Sequence, residues 1–302
     1  SASRNFMIIC SVEKRLFLGI ACLHFRSRSY HFIWNGFWGA GHKVSGVSDR
    51  SVRMIHTVLH RSLSQAVQYG LLLKNPATGV NLPKRQWKEM KFYDEGQVQR
   101  LLKSAREHQP RYLALFKLAI TTGMRQGELL GLKWVDLDWN RQTLHVRRQL
   151  KRRKGGGFRF ASPKTNAGVR KLALGADTIQ LLRVHQKLIR EDKSKAGSKW
   201  KENDMMFPSL VGTPTQPDKI INRFKRIASK AGLPEIRFHD LRHTAASLML
   251  NNNIPLLVVS RRLGHSKPSV TLDVYGHLIS NMQEDVADLM DKITEIKIGS
   301  NC

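Results

Sequence analysis

The first sustained regularity in the chain lies in "SDRSVRMIHTVLHRSLSQAVQYGLL", where Val52, Ile55, Leu59, Leu63, Ala66 and Val67 recur at three- and four-residue spacing. That period predicts an amphipathic helix over about 49–70, with Ser48 or Asp49 able to cap its first turn. One apolar stripe cannot cover itself, so the segment implies a small helical domain. "KNPATGVNLPKRQWKEMKF" follows, broken by Pro and Gly and dense in Lys and Arg, and reads as a linker. Helical spacing resumes behind Asp94 in "DEGQVQRLLKSARE" and continues in "RYLALFKLAITTG", which stops at Gly123. "MRQGELLGLKWVDLDW" predicts a short helix running into a turn. The pattern then alternates: "TLHVRRQL", "FRFASPK" and "VRKLAL" predict one three-stranded antiparallel sheet, with turns at "KRRKGGG" and "TNAG". Helical periods return over about 177–193, 216–231, 240–252, 255–263, 268–277 and 281–296. The expected fold is mainly α with a small three-stranded antiparallel sheet, an α+β class.

Residues 1–47 stand apart: they are rich in Phe, Trp, His, Cys and Ser and keep neither period for long. They are expected to be an atypical or unrelated N-terminal segment joined to the rest. The expected divisions are then a partial helical domain over 48–82, a linker over 83–91, a main domain over 92–297 and a tail over 298–302.

Charge narrows the function. The chain carries 51 Lys and Arg against 23 Asp and Glu, a net +28. Such an excess repels itself and is best balanced by a polyanion, which makes nucleic acid the leading partner class. No stretch approaches 18 uninterrupted apolar residues, so no membrane span is expected. Cys10, Cys22 and Cys302 are odd in number and lack C-x-x-C spacing, which argues against a disulfide framework or zinc site and for a reducing cytoplasm.

Several polar residues sit where a core has no use for them. Arg125 follows Gly123 by two and precedes Glu128 by three; Lys164 lies in the turn "SPKTNAG". His239 and Arg242 share one face at the start of a helix, His265 follows Gly264, and Tyr275 comes ten residues later. Two guanidiniums can grip a phosphate and neutralise charge developing on phosphorus, while a phenol can attack it and keep the bond energy in a phosphotyrosine. Lys164 could protonate the departing sugar oxygen, and His239 and His265 could move protons or hold the phosphate. Glu128 would support Arg125. His243 is expected to be a helix-packing or supporting group. Although His239 and His243 are four apart, Asp240 stands where a zinc helix needs Glu, so no metal is expected.

Taken in order, "TGMRQGELLGLKW", "SPKTNAGVRKLAL", "HDLRHTAA", "LGHS" and "TLDVYGHL" resemble the catalytic boxes of the tyrosine recombinases, the phage-type integrases, over about 48–297. The resemblance implies Arg125 and Arg242 as the catalytic arginines, Lys164 as general acid, His239 and His265 as the paired histidine positions, and Tyr275 as a nucleophile forming a 3′-phosphotyrosine. It implies double-stranded DNA as partner and no metal or nucleotide cofactor. It also implies a clamp whose smaller jaw is a helical, SAM-like core-binding domain, here partial, and a homotetramer on synapsed DNA joined by exchange of C-terminal helices. Met282, Val286, Leu289, Met290 and Ile293 make the stripe for that exchange. The basic run holding Arg147, Arg148, Lys151, Arg152, Arg153 and Lys154 is expected to touch DNA phosphates. The alternatives are a chemically silent DNA-binding remnant that has lost its N-terminal jaw, and a relaxing topoisomerase of related chemistry.

Overall fold

Helix ends show why the elements form where they do. In the computed structural model, which describes residues 48–84, 90–163, 165–279, 287 and 290–294, the first helix, α1 (Asp49–Gln68), begins where the Ser48 hydroxyl accepts from the Ser51 amide at 3.3 Å. Behind Gly70 the chain turns back on α1. Asn75 donates to the His60 carbonyl at 2.9 Å and to Ser64 at 2.8 Å, and Arg53 reaches the Pro83 carbonyl at 2.7 Å. Of the predicted stripe only Val52 is buried, and Ile55 is exposed. The described residues of this part supply no second helix to cover it. The chain divides into two units at Lys88 and Glu89.

The second unit opens on a capping box: Asp94 accepts from the Gln97 amide at 2.7 Å, and the Gln97 side chain accepts from the Asp94 amide at 3.0 Å, starting α2 (Glu95–His108). Reciprocal bonds of this kind satisfy two otherwise orphaned helix donors. α3 (Pro110–Thr122) is apolar nearly all round, with Leu113, Leu115, Phe116, Leu118 and Ile120 buried, and forms the spine of the core. Phe116 packs against Phe224 and Phe238 with ring centroids 5.9 and 6.1 Å away. Each such buried ring contributes about 2–3 kcal/mol of hydrophobic stabilisation. Short α4 (Gln126–Leu129) follows.

The strand region differs from expectation in its connections. A three-stranded antiparallel sheet is present, but it consists of β1 (Leu137–Asp138), β2 (Thr143–Val146) and β5 (Arg170–Ala173), in the order β1-β2-β5. "TLHVRRQL" breaks at Arg147–Arg148, and its second half, β3 (Gln149–Arg152), pairs with β4 (Phe158–Ala161) in a separate hairpin. The break has a cause: Arg148 turns inward to the buried carboxylate of Asp136 at 2.5 Å, which ends the alternation begun by Leu144 and Val146.

Further along, the unit contains α5 (Ala176–Ala196), α6 (Pro217–Lys230), α7 (Asp240–Asn251), α8 (Leu256–Leu263) and α9 (Pro268–Ile279). α7 packs on α3, α8 and α9. The predicted helix over 281–296 lies mostly outside the described residues, as do 1–47 and Lys164. Among the described residues, no helix is long and apolar enough to cross a membrane.

Candidate active site

The site gathers where α3, α7 and α8 end or begin. Gly123 closes α3 with φ +62°, a left-handed conformation that favours glycine. A Cβ there would press into the Leu263 side chain, so any residue other than glycine would also push Leu263 out of its buried place. The fit matters because Arg242, on the first turn of α7, donates from Nη1 to the Gly123 carbonyl at 2.7 Å and to the Leu263 carbonyl at 2.8 Å. Both acceptors are C-terminal helix carbonyls, the negative ends of two helix dipoles. They offset the cost of burying a guanidinium that is only 5% exposed. Burial, and then the Arg125 charge, push the Arg242 pKa down to about 10, which leaves it protonated at neutral pH. Its Nη2 is buried without a partner among the described residues.

Arg125 caps α4 from the N-terminal side. Its Nη1 donates to Glu128 Oε1 at 2.8 Å and its amide to Oε2 at 3.1 Å. Glu128 also accepts from Arg170 Nη2 at 3.1 Å. Burial alone would raise the Glu128 pKa, but the Arg170 charge and the bonds from both arginines outweigh it and lower the value. Arg170 in turn donates to the carbonyls of Arg262 at 2.7 Å and Gly168 at 3.1 Å. One buried carboxylate therefore fixes two guanidiniums, and Arg170 ties β5 to the end of α8.

The histidines are held neutral. His265 Nδ1 lies 2.7 Å from Thr271 Oγ1. Burial first, and then the charges of Arg242, Arg125 and Arg170, lower its pKa to about 4. His239 is exposed by surface area yet closely surrounded; desolvation and then Arg242 lower its pKa too. His243, one turn further along α7, meets His239 edge to face with centroids 5.8 Å apart. Its Nδ1 lies 2.6 Å from the hydroxyl of Tyr275. Tyr275 is 2% exposed and packs with Ala246, Leu250, Val259 and Leu263. Burial raises its pKa against the opposing field of Arg242.

Arg125, His239, Arg242, His265 and Tyr275, scattered over 151 positions, thus meet in one pocket within reach of each other's fields. Three participants carried no sequence signal of their own. Arg170 lies on β5, Thr271 is buried on α9, and His243 is the residue expected only to pack or support. The expected basic strip divides. Lys151, Arg153 and Lys154 are exposed on the β3–β4 hairpin. Arg147 sits beside His145 Nδ1 at 3.2 Å, and Arg152 pairs with Asp218. Arg148 departs from the strip, because its charge is committed to Asp136. Among the described residues no His, Cys, Asp and Glu cluster has the makings of a metal site.

Three fixed arginines around neutral imidazoles and a phenol make a pocket suited to a tetrahedral anion. A family model described as the phage integrase family matches residues 91–282. Among curated relatives, a XerC-like tyrosine recombinase of Caldanaerobacter subterraneus is 31% identical over 265 residues, covering 82% of this chain and 67% of that protein. The ICEBs1 integrase of Bacillus subtilis is 28% identical, with the same coverage of 82% and 67%. Among solved structures, the Tn1549 transposon integrase in complex with circular intermediate DNA matches with a TM-score of 0.70 at 20% identity, over 96% of this chain and 92% of that one. The chain belongs to the phage integrase family of tyrosine recombinases, enzymes that cut and rejoin DNA strands.

Proposed function

We propose that the chain is a site-specific DNA recombinase of the integrase type, in which Tyr275 attacks a backbone phosphodiester and forms a 3′-phosphotyrosine. The observation that carries the assignment is Nη2 of Arg242, buried without a partner among the described residues while two carbonyls hold Nη1. A buried guanidinium nitrogen left open is costly unless a ligand completes it, and a non-bridging phosphate oxygen suits it. Arg125, set by Glu128, supplies the second fork. His265 and His239, both neutral, donate hydrogen bonds rather than charge. Lys164 protonates the leaving 5′-oxygen. Exposed Lys151, Arg153 and Lys154 track the flanking phosphates.

We extend the proposal to assembly. Ile254 just before α8, Leu257 and Val258 on α8, and Val270 and Leu272 on α9, the helix that carries Tyr275, are exposed apolar side chains. They suit a C-terminal helix delivered from a neighbouring protomer, in a homotetramer on two duplexes in the cytoplasm. The chemistry is tested on a pool of nicked duplexes randomised around the nick, from which covalent complexes are trapped and sequenced. The wild-type chain forms adducts, and Tyr275→Phe forms none while still shifting duplex in a gel. An adduct formed by the Phe variant refutes Tyr275 as nucleophile.

A further inference from the structure

Tyr275 poses a problem for its own chemistry. Its hydroxyl is buried, and burial favours the neutral phenol, which is a poor nucleophile. Some group must take the proton as the oxygen attacks. His265 is turned to Thr271 through Nδ1, and the His239 ring packs edge to face against His243. Among the described residues, the hydrogen bond of Tyr275 Oη is to His243 Nδ1.

The direction of that bond follows from its surroundings. Burial and the charges of His239, Arg242 and Arg237 outweigh Asp240 and lower the His243 pKa, so its ring is neutral at pH 7. A neutral imidazole has one donor and one acceptor nitrogen. Among the described residues the phenolic O–H is hydrogen-bonded to Nδ1, and it is satisfied there when Nδ1 accepts and Nε2 carries the proton. Nε2 is not among the buried unpartnered atoms, so that tautomer leaves no orphan.

We propose that His243 is a catalytic residue that accepts the phenolic proton of Tyr275, through the 2.6 Å contact between its Nδ1 and Oη. The inference rests on Tyr275 being the nucleophile. As the Oη–P bond forms, the phenolic proton passes to Nδ1 and His243 becomes an imidazolium. The P–O5′ bond breaks, its electron pair stays on O5′, and the separate acid on the leaving-group side protonates that oxygen. In rejoining, the 5′-hydroxyl returns its proton to the group on the leaving-group side as it attacks phosphorus, the P–Oη pair returns to the phenol, and His243 gives Oη its proton back. Asp240, three residues earlier on the same helix and only 6% exposed, stabilises the transient imidazolium. Arg237, Arg242, His239 and His265 face it with positive or neutral groups, and they return it promptly to the neutral form.

The full-length chain tests this with a duplex recovered from the randomised pool. His243→Asn keeps an acceptor oxygen near the Nδ1 position but cannot take the proton. It is expected to form the adduct about 10²-fold more slowly at pH 7. Its rate should climb steadily with pH, where the wild-type rate levels off above the His243 pKa. A 5′-bridging sulfur at the scissile position, which leaves without a proton, should restore Lys164→Ala but not His243→Asn. An Asn variant with wild-type rate and pH profile, or one rescued by sulfur, overturns the proposal. So does a ¹⁵N imidazole spectrum of the free protein that places the His243 proton on Nδ1. An adduct formed by Tyr275→Phe, or no adduct from the wild-type chain, would instead remove the nucleophile assignment and this role with it.

Discussion

Arg242 and Glu128 show how one side chain is made to serve chemistry by what its neighbours demand. Arg242 spends Nη1 on two helix-end carbonyls and keeps Nη2 open, a division that needs a planar fork. Lysine gathers its donors on one nitrogen, so it cannot hold both carbonyls and also present a second, separately placed nitrogen to a phosphate. Arg242→Lys is therefore expected to slow single-turnover adduct formation by about 10²–10³-fold, with a much smaller change in gel-shift affinity. Equal losses in both measurements would mean that Arg242 serves binding rather than the transition state. Glu128 is 2% exposed and pairs with Arg125 and Arg170 at once. Its removal in Glu128→Ala leaves two guanidiniums crowded without a counter-charge and should cost about 3 kcal/mol in urea denaturation at pH 7. Because its folded pKa is depressed, this contribution is present above the ordinary carboxylate value and disappears as pH falls through the folded one. The difference between wild type and variant should shrink accordingly in acid.

The elements that carry these groups were legible in the sequence to very different degrees. Helices with a chemical start, such as the Asp94–Gln97 box, or a chemical stop, such as Gly123, fall where apolar spacing places them. The strands do not, because β2 and β3 are contiguous in sequence and only the turn of Arg148 toward Asp136 separates them. Arg125, Arg242, His239, His265 and Tyr275 could be picked out by the joint order and spacing of their motifs rather than one by one, since Tyr275 taken alone is a member of a buried apolar cluster. Arg170 and Thr271 could not, since their partners are 42 and 6 residues away across loops and no local rule marks the pairing. Gly123 links both themes. Gly123→Ala forces a side chain into a left-handed backbone and against Leu263, and should cost roughly 2 kcal/mol in chemical denaturation. It should also slow adduct formation beyond that loss, because the displaced carbonyl is the one that holds Arg242. The β3–β4 hairpin makes a different commitment, of charge rather than geometry. If Lys151, Arg153 and Lys154 each neutralise one phosphate, changing all three to Gln should make the log–log salt dependence of duplex binding shallower by about 3, at about 0.9 per contact. An unchanged slope would place the DNA on another face.

Taken whole, the chain carries a net +28, and acid adds to that load. Self-repulsion alone makes the folded state lose ground as pH falls, but one buried group gives the loss a specific window. His185 is 2% exposed; its Nε2–H donates to the Met206 carbonyl at 2.8 Å, and its Nδ1 is buried without a partner among the described residues. Burial, with a smaller push from Arg111, lowers its folded pKa from 6.5 to about 4. Between those two values the unfolded chain binds a proton that the folded chain refuses. The stability tied to a neutral His185 is thus complete above about pH 6.5 and erodes as pH falls toward 4, with a ceiling of about 3 kcal/mol. His265 acts in the same direction and the same window but is half-exposed, so solvent blunts its effect. Wild-type protein melted at pH 7 and pH 5 at fixed high salt, which screens the general repulsion, should still lose several degrees at the lower pH. His185→Gln, which can keep a donor toward Met206 but takes up no proton, should begin from a lower melting temperature and lose less of it over the same interval. A variant whose melting temperature falls as steeply as that of the wild type would assign the acid sensitivity to net charge and clear His185 of it.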